Sequence, residues 1–344
     1  MTVMRDRKAD TIYTDTSDTV NKGAADTDTA ATEYTGAIDT DTPATAYAAA
    51  ADMENAGELR YTILDPTGNI TALVETPVDI QNQPAAADVI MQRHPEVEQV
   101  GFVSFPSDVP VSCTGSGNGS VQVRLRMAGG EFCGNASLCA AALYEARRSP
   151  DFPASEAASL NNAIRILLEV SGASKPVEVR LVRQSLRLFE GSVKMPPALK
   201  IEQLSFTCES MTAPLPLVRM EGISHLIIEP DSVFFSLKER RPEAEKAIRS
   251  WCRSLSLEGL GCMFVDIRPS IPCLTPLVYI PGGETVFWEN SCASGTSAAG
   301  MYLAQKTKAP VDLSFQEPGG ILRVSSHEGE KGETRLHGQV RLLP

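Results

Sequence analysis

Glu131-Phe132-Cys133-Gly134-Asn135-Ala136-Ser137 and Glu289-Asn290-Ser291-Cys292-Ala293-Ser294-Gly295-Thr296-Ser297 are the two stretches whose reading decides the fold. In each, a cysteine opens a turn of small residues that runs straight into an Ala-rich apolar segment, Leu138 to Tyr144 and Ala298 to Ala304. The pattern predicts two buried helices, each with a cysteine at its start. A helix N-terminus carries free backbone N–H groups and about half a positive charge. That environment favours a thiolate and also binds a carboxylate. Two such turns in one chain predict a substrate held between facing thiols, which can move a proton from one face of a carbon to the other.

Short apolar runs flank both turns. Leu59 to Leu64 reads as a strand, Asp65-Pro66-Thr67-Gly68-Asn69 as a turn and Ile70 to Glu75 as a second strand. A short helix over Asp88 to His94 and strands over Gln99 to Ser104 and Val121 to Arg126 lead to the first cysteine turn. Strands follow over Ile164 to Glu169, Val177 to Val182 and Leu186 to Val193. A second series begins with strands over Leu217 to Met220 and His225 to Ile228 and a charged helix over Arg241 to Leu255. Strands over Met263 to Ile267 and Leu277 to Ile280 then precede the second turn, and Ile321 to Ser325 and His337 to Leu342 close the chain. Cys133 lies 74 residues after Leu59 and Cys292 lies 75 after Leu217. The repeat predicts an α+β protein of two pseudo-symmetric lobes, each a curled, mostly antiparallel sheet around a central helix. The expected boundaries are an N-terminal lobe over 59–210 and a C-terminal lobe over 211–344.

The chain has 344 residues and a formal net charge of −12, unevenly placed. Residues 1–59 hold twelve Asp/Glu against four Lys/Arg, which is −8 of that charge. Residues 1–58 are Thr/Asp/Ala-rich without apolar periodicity and read as a disordered acidic tail. No basic stripe suggests nucleic acid, and no run of eighteen apolar residues suggests a membrane span. The N-terminus has no apolar core of a signal peptide. The eight cysteines form no Cys-x-x-Cys pair, so they read as reduced thiols of a cytoplasmic protein without a structural metal.

Removing the α-proton of an amino acid calls for a base on one face, an acid on the other and stabilisation of the carboxylate. A thiol of ordinary pKa, about 8.5, is brought toward neutrality at a helix start. One cysteine then serves as thiolate and its partner as thiol, with roles exchanged for the reverse reaction. Backbone N–H groups after each cysteine supply fixed dipoles for the carboxylate.

On these residues the chain resembles the diaminopimelate epimerase and proline racemase superfamily, which includes the phenazine-type isomerases. Within it, the wording is nearest the cofactor-independent histidine racemase branch that supplies D-histidine for opine metallophores. The resemblance runs from Leu59 to Leu343 through five motifs in order. These are Asp65-Pro66-Thr67-Gly68-Asn69, Glu98-Gln99-Val100-Gly101-Phe102, the first cysteine turn, Tyr279-Ile280-Pro281 with Trp288-Glu289-Asn290-Ser291-Cys292, and Gln316-Glu317-Pro318-Gly319-Gly320-Ile321. It implies Cys133 and Cys292 as the acid/base thiols, with Gly134-Asn135 and Ser294-Gly295 as carboxylate cradles. Asn69, Glu98 and Gln99 would face the substrate, and no cofactor or metal would be needed. Diaminopimelate epimerases continue the first motif as Cys-Gly-Asn-Gly-x-Arg and carry Glu-Arg before the second cysteine. Here Ala136-Ser137-Leu138 and Trp288-Glu289-Asn290 stand instead, so a distal carboxylate loses its arginine, whereas Glu98 or Glu289 could accept an imidazole N–H. Ala293 replaces the more usual glycine after the second cysteine.

Blander readings compete at several positions. A lone cysteine in an Ala-rich helix start is usually a small buried hydrophobe, and Cys139, Cys252, Cys262 and Cys273 are read that way. Glu98 could cap a turn and Asn69 could simply form one. His225 reads as a satisfied polar residue, His94, His327 and His337 as surface positions, and Gly319-Gly320 as a tight turn. The expected function is a cofactor-independent amino-acid racemase with L-histidine as first substrate. Another amino acid, diaminopimelate and proline included, is the alternative within the superfamily. A thiol/disulfide redox or binding protein is the alternative of another class. The oligomeric state is left open, a homodimer included.

Overall fold

A computed structural model describes residues 59–106, 120–150, 163–327 and 332–344. The acidic tail and Cys113 lie outside these described residues. The first half contains β1 (Tyr61–Asp65), β2 (Thr71–Val74), α1 (Gln83–Arg93), β3 (Gln99–Ser104), β4 (Val123–Met127), α2 (Gly134–Arg148), β5 (Ile164–Val170), β6 (Val177–Arg183) and β7 (Leu188–Lys194). The second contains β8 (Lys200–Cys208), β9 (Met211–Arg219), β10 (Ser224–Ile228), α3 (Arg241–Ser254), β11 (Leu260–Asp266), β12 (Cys273–Ile280), β13 (Thr285–Trp288), α4 (Ala293–Thr307), β14 (Val311–Glu317), β15 (Gly320–Ser326) and β16 (Thr334–Leu342). The architecture is α+β, as the sequence predicts.

The topological repeat is visible in the pairing order. β1 to β6 pair in the sequence antiparallel, parallel, antiparallel, parallel, antiparallel. β9, β10, β11, β12, β14 and β15 repeat that order. One feature differs from the expected pair of like lobes. The last strand, β16, pairs with β7, β15 and β1, so the strands of both halves form one continuous sheet. The β1–β16 pairing, Leu64 opposite Leu342, closes β1 to β7 with β16 into an eight-stranded barrel. The second half curls around α4 without such a closing pair among the described residues, because β8 ends the sheet.

Both central helices are buried nearly all round, which small side chains make possible. In α2 every residue from Gly134 to Leu143 is buried, and in α4 every residue from Ala293 to Ala304. Ala136, Ala140, Ala141 and Ala142 let the barrel wall close on α2, and Ala298 and Ala299 do so on α4; all belong to one apolar cluster that spans both halves. The amphipathic α3 lies outside that cluster. Its Ala244, Ala247, Ile248, Trp251 and Cys252 pack with Leu226, Leu260 and Phe264. No helix among the described residues is long and apolar enough to cross a membrane.

The sheet also contains strands that apolar periodicity does not reveal. β9 carries Pro214 and Pro216, which oppose Ser205 and Gln203 of β8. Its other neighbour, β10, pairs only at Leu217 and Val218, so no ladder bond on that side needs the missing N–H groups. β14 does alternate, with Val311, Leu313 and Phe315 turned inward and Asp312, Ser314 and Gln316 exposed, a period-two signal absent from the strands expected above.

The first cysteine turn rests on a close backbone approach. Gly172 has a φ of 72°, and a Cβ there would fall inside contact distance of the Phe132 amide nitrogen. Gly172→Ala therefore combines a left-handed conformation with a backbone clash. The expected outcome is a loss of about 1–3 kcal/mol in unfolding free energy, read from urea titration.

Candidate active site

The two cysteine turns meet at the centre of the molecule. Cys133 and Cys292 are the N-caps of α2 and α4, both in extended conformation. The helix starts touch: a Cβ on Gly134 would lie 2.8 Å from the Cβ of Ala293. The side-chain amide of Asn135, 1% exposed, donates to the Ser291 carbonyl and accepts no bond at its own oxygen; its Nδ2–O distance is 3.2 Å. Nδ2 also lies 3.2 Å from Ser291 Oγ. Asn135 thereby ties the first motif to the second.

A cavity of about 400 Å³ opens at this junction, within the usual range for a small-molecule site. Its wall includes Cys133, Cys292, Asn69, Glu98, Gln99, Asn135, Glu289 and Ser294. Of the residues predicted from sequence, only Gly134 and Gly295 are absent from it. They serve close packing instead, Gly134 against Ala293 and Met195, Gly295 against Met263. The wall also includes Pro84, Asp88 and Met91 of α1 and Ile280, Thr285 and Phe287 of the β12–β13 hairpin.

Hydrogen bonds fix the side chains around each thiol differently. The Cys133 sulfur accepts the Ala136 N–H at 3.3 Å and donates to Gln99 Oε1 at 3.0 Å. Gln99 is oriented in turn by donating to Thr71 Oγ1 at 2.7 Å, and Thr71 donates to the Asn69 carbonyl at 2.9 Å. Asn69 donates to Glu98 at 2.9 Å, and Glu98 also accepts from the backbone and side chain of Asn290. On the other side, Cys292 Sγ lies 3.7 Å from Ser294 Oγ and against the Glu289 carboxyl. The Cys292 backbone N–H donates to Glu317 at 2.8 Å.

The charge of the site is one-sided. Asp88, Glu98, Glu131 and Glu289 line the cavity, and no Lys, Arg or His is among its described lining residues. Burial pushes Glu289 up to about 8, with Glu98 and Glu131 adding to the shift. Burial also raises Glu98 and Glu131, and takes Glu317 up to about 8. The thiols do not follow the lowering expected from a helix start. Burial pushes Cys133 up to about 12, against the opposing pull of the Ala136 N–H. Cys292 is raised well above the ordinary thiol range by burial and by Glu289. Desolvation and neighbouring carboxylates here outweigh half a helix-end charge.

Sequence reasoning passed over several residues that shape the site. Glu131, Ser291 and Glu317 stand inside the sequence motifs without a role of their own, and Phe287 lies in none. The histidines also differ from expectation. His225 is fully buried, with neither ring nitrogen hydrogen-bonded, and stands outside the cavity wall. Burial without a partner takes it down to about 3. His94 and His337 are half-buried beside Tyr61 and Ser325 hydroxyls, whereas His327 is exposed. The tight turn is made by Pro318 and Gly319, with Gly320 opening β15 opposite Glu317 across the β14–β15 hairpin.

The raised carboxyls set a pH dependence of stability. Glu289 and Glu317 move from 4.5 to about 8 on folding. The folded chain therefore keeps protons that the unfolded chain has lost, and their contribution, complete below the unfolded value, falls as pH rises through about 8. Urea midpoints should be lower at about pH 9 than at about pH 5, and Glu289→Gln should flatten that slope.

The family described as "Histidine racemase CntK N-terminal domain" matches residues 58–343. A histidine racemase of Fusobacterium nucleatum subsp. nucleatum is 31% identical over 293 residues, covering 83% of this chain and 95% of the relative. A histidine racemase of Staphylococcus aureus (strain Mu50) is 26% identical over 290 residues, covering 83% and 96%. A solved structure of a probable proline racemase from Agrobacterium radiobacter K84, with bound carbonate, aligns with a TM-score of 0.57 at 10% identity, over 83% of this chain and 92% of that one. At that identity the likeness bears on the fold alone. The chain belongs to the histidine racemase CntK family, within the pyridoxal-phosphate-independent amino-acid racemases and epimerases, and is an isomerase of that type.

Proposed function

We propose that this isomerase interconverts L- and D-histidine by a two-thiol mechanism, with Cys133 and Cys292 as the acid/base pair. The observation that carries the reading is a cavity holding both helix-start cysteines and four carboxyl side chains, with no cationic residue among its described lining. Such a wall suits a substrate that brings its own positive charge. The α-ammonium group of an amino acid does so, and an imidazole adds a second N–H or a second charge. A distal carboxylate, as in diaminopimelate, would meet Glu98, Glu131 and Glu289 with no guanidinium on the described cavity wall to pair it, Arg126 being off that wall and acting on Glu131.

The substrate carboxylate would lie toward the helix starts at Asn135 on one side and Ser294 on the other, the two cradle residues that line the cavity. The α-carbon then stands between the two sulfurs. A thiolate removes the α-proton from one face and the opposite thiol delivers a proton to the other, which inverts the centre. The substrate ammonium supplies the nearby positive charge that the buried thiols otherwise lack, and so lowers the cost of the thiolate. Glu98 is already engaged by Asn69 and by two groups of Asn290, whereas Glu289 meets the Cys292 thiol, so Glu289 is the acceptor assigned to the imidazole N–H. Gln99 holds the Cys133 thiol in line. Residues 59–210 and 211–344 are read as the two lobes that enclose the substrate, with β16 completing the first.

The test is incubation with L-histidine in heavy water. Wild type should incorporate deuterium at the α-carbon and form D-histidine. Cys133→Ala and Cys292→Ala should each slow exchange by about 10²–10⁴-fold. Turnover of another amino acid in a chirality-scored panel, with histidine inert, would replace the substrate. Reversible dithiol oxidation without α-proton exchange would replace the reaction class. Full activity in the double variant would remove both thiols from the mechanism.

A further inference from the structure

Glu317 is a buried carboxyl to which the two-thiol chemistry gives no task. It ends β14 and is only 1% exposed. One of its oxygens accepts the Cys292 backbone N–H at 2.8 Å, and the other accepts the Thr296 hydroxyl. Both donors belong to the start of α4, so a carboxyl from a distant strand caps the helix that carries the second thiol. No side-chain carboxyl is hydrogen-bonded at the start of α2 among the described residues. There the Cys133 sulfur itself accepts the Ala136 N–H and rests on the neutral amide of Gln99. The two thiols, alike in sequence, therefore sit in unlike surroundings.

We propose that Glu317 is a positioning residue for Cys292: its two hydrogen bonds fix the cysteine turn, and its charge holds back ionisation of the Cys292 thiol relative to Cys133. The inference rests on the reading of Cys292 as an acid/base group. The groups that face Glu317 are Cys292 and Thr296 of α4 and, across the turn, Glu289; Glu98 and Glu131 act on Glu289 in turn. None of these is cationic. Burial raises Glu317 to about 8, so its charge develops across the same alkaline range in which a thiol ionises. Above about pH 8, where Glu317 is charged, the resting enzyme is thus biased toward a protonated Cys292 relative to Cys133.

The test is the alkylation rate of each cysteine by iodoacetamide, whose iodide is displaced by thiolate. Full-length wild type and Glu317→Gln are compared between about pH 6 and pH 10, with the Cys133 and Cys292 peptides quantified by mass spectrometry. At about pH 9, Cys292 of Glu317→Gln should react about tenfold faster than wild type, the equivalent of one pKa unit. At about pH 6 the two proteins should converge, since Glu317 is then protonated, and Cys133 should change little throughout. A merely structural role would change the rate by the same factor at every pH, and that result, or no change, overturns the proposal. If Glu317→Gln does not fold, Thr296→Val removes one donor to the charged carboxyl and should shift Cys292 in the same direction by a smaller factor; an unchanged Cys292 profile there overturns it equally. Failure of wild type to exchange the α-proton of histidine would overturn the proposed substrate and leave the alkylation result standing on its own.

Discussion

Two helix N-termini brought face to face inside a protein are the constraint on which the rest of this structure depends. Each end carries unpaired N–H groups and a partial positive charge, and like ends repel when buried together. Gly134 and Ala293 stand where the ends touch, and a larger side chain at either position would separate them. The molecule compensates the repulsion with carboxyl groups. Glu289 and Glu131 border the junction, Glu317 caps one helix, and Glu98 secures the loop beside Cys292 through Asn290. The arrangement explains the acidic wall, and the burial that raises these carboxyls also raises the thiols, with Glu289 adding to the shift at both.

The remaining motifs are best understood as supports for that junction. Asn69 and Thr71 follow the first turn and orient Glu98 and Gln99. Gly319 donates its N–H to the Asn290 carbonyl at 2.7 Å, and Gly68 packs against Gly319 so closely that neither can carry a side chain. Segments separated by more than two hundred residues thus share one small volume. The barrel around α2 and the open sheet around α4 hold these loops at fixed positions, and β16 links the two sheets so that neither cysteine turn is carried by an independent body. Unequal closure of the halves accompanies unequal contacts: the Cys133 thiol donates to the neutral amide of Gln99, with Glu289 and Glu131 acting on it through space, whereas Cys292 lies against Glu289 and gives its N–H to Glu317.

Legibility of the fold followed apolar content. Strands with continuous buried runs, such as Gln99–Ser104 and Ser224–Ile228, and the strongly amphipathic helix Arg241–Ser254 could be read directly. Lys200–Cys208 and residues 211–216 beside the sheet edge could not, because an edge hairpin exposed on one side keeps polar and proline residues that read as loop. Thr285–Trp288 was hidden for another reason: four half-buried residues form a strand only because Leu277 to Ile280 lie alongside. At the site, cysteines and amides stood out through their motif neighbours. Glu131 and Glu317 did not, since a carboxylate's burial depends on what surrounds it.

By itself the sequence determined the two helix starts, the cysteine at each, the doubled order of elements and the family to which the chain belongs. Those features are local: small residues after a cysteine, an Ala-rich run and the spacing of apolar strands operate over a few residues at a time. Only the tertiary structure decided that the two halves share β16, that Gly134 and Gly295 serve packing instead of lining the cavity, and that His225 is buried without a partner. It also decided the electrostatics. A helix start predicts a lowered thiol pKa, but desolvation and the carboxyls gathered from distant segments invert that expectation, because the energy of a buried charge is set by everything that encloses it.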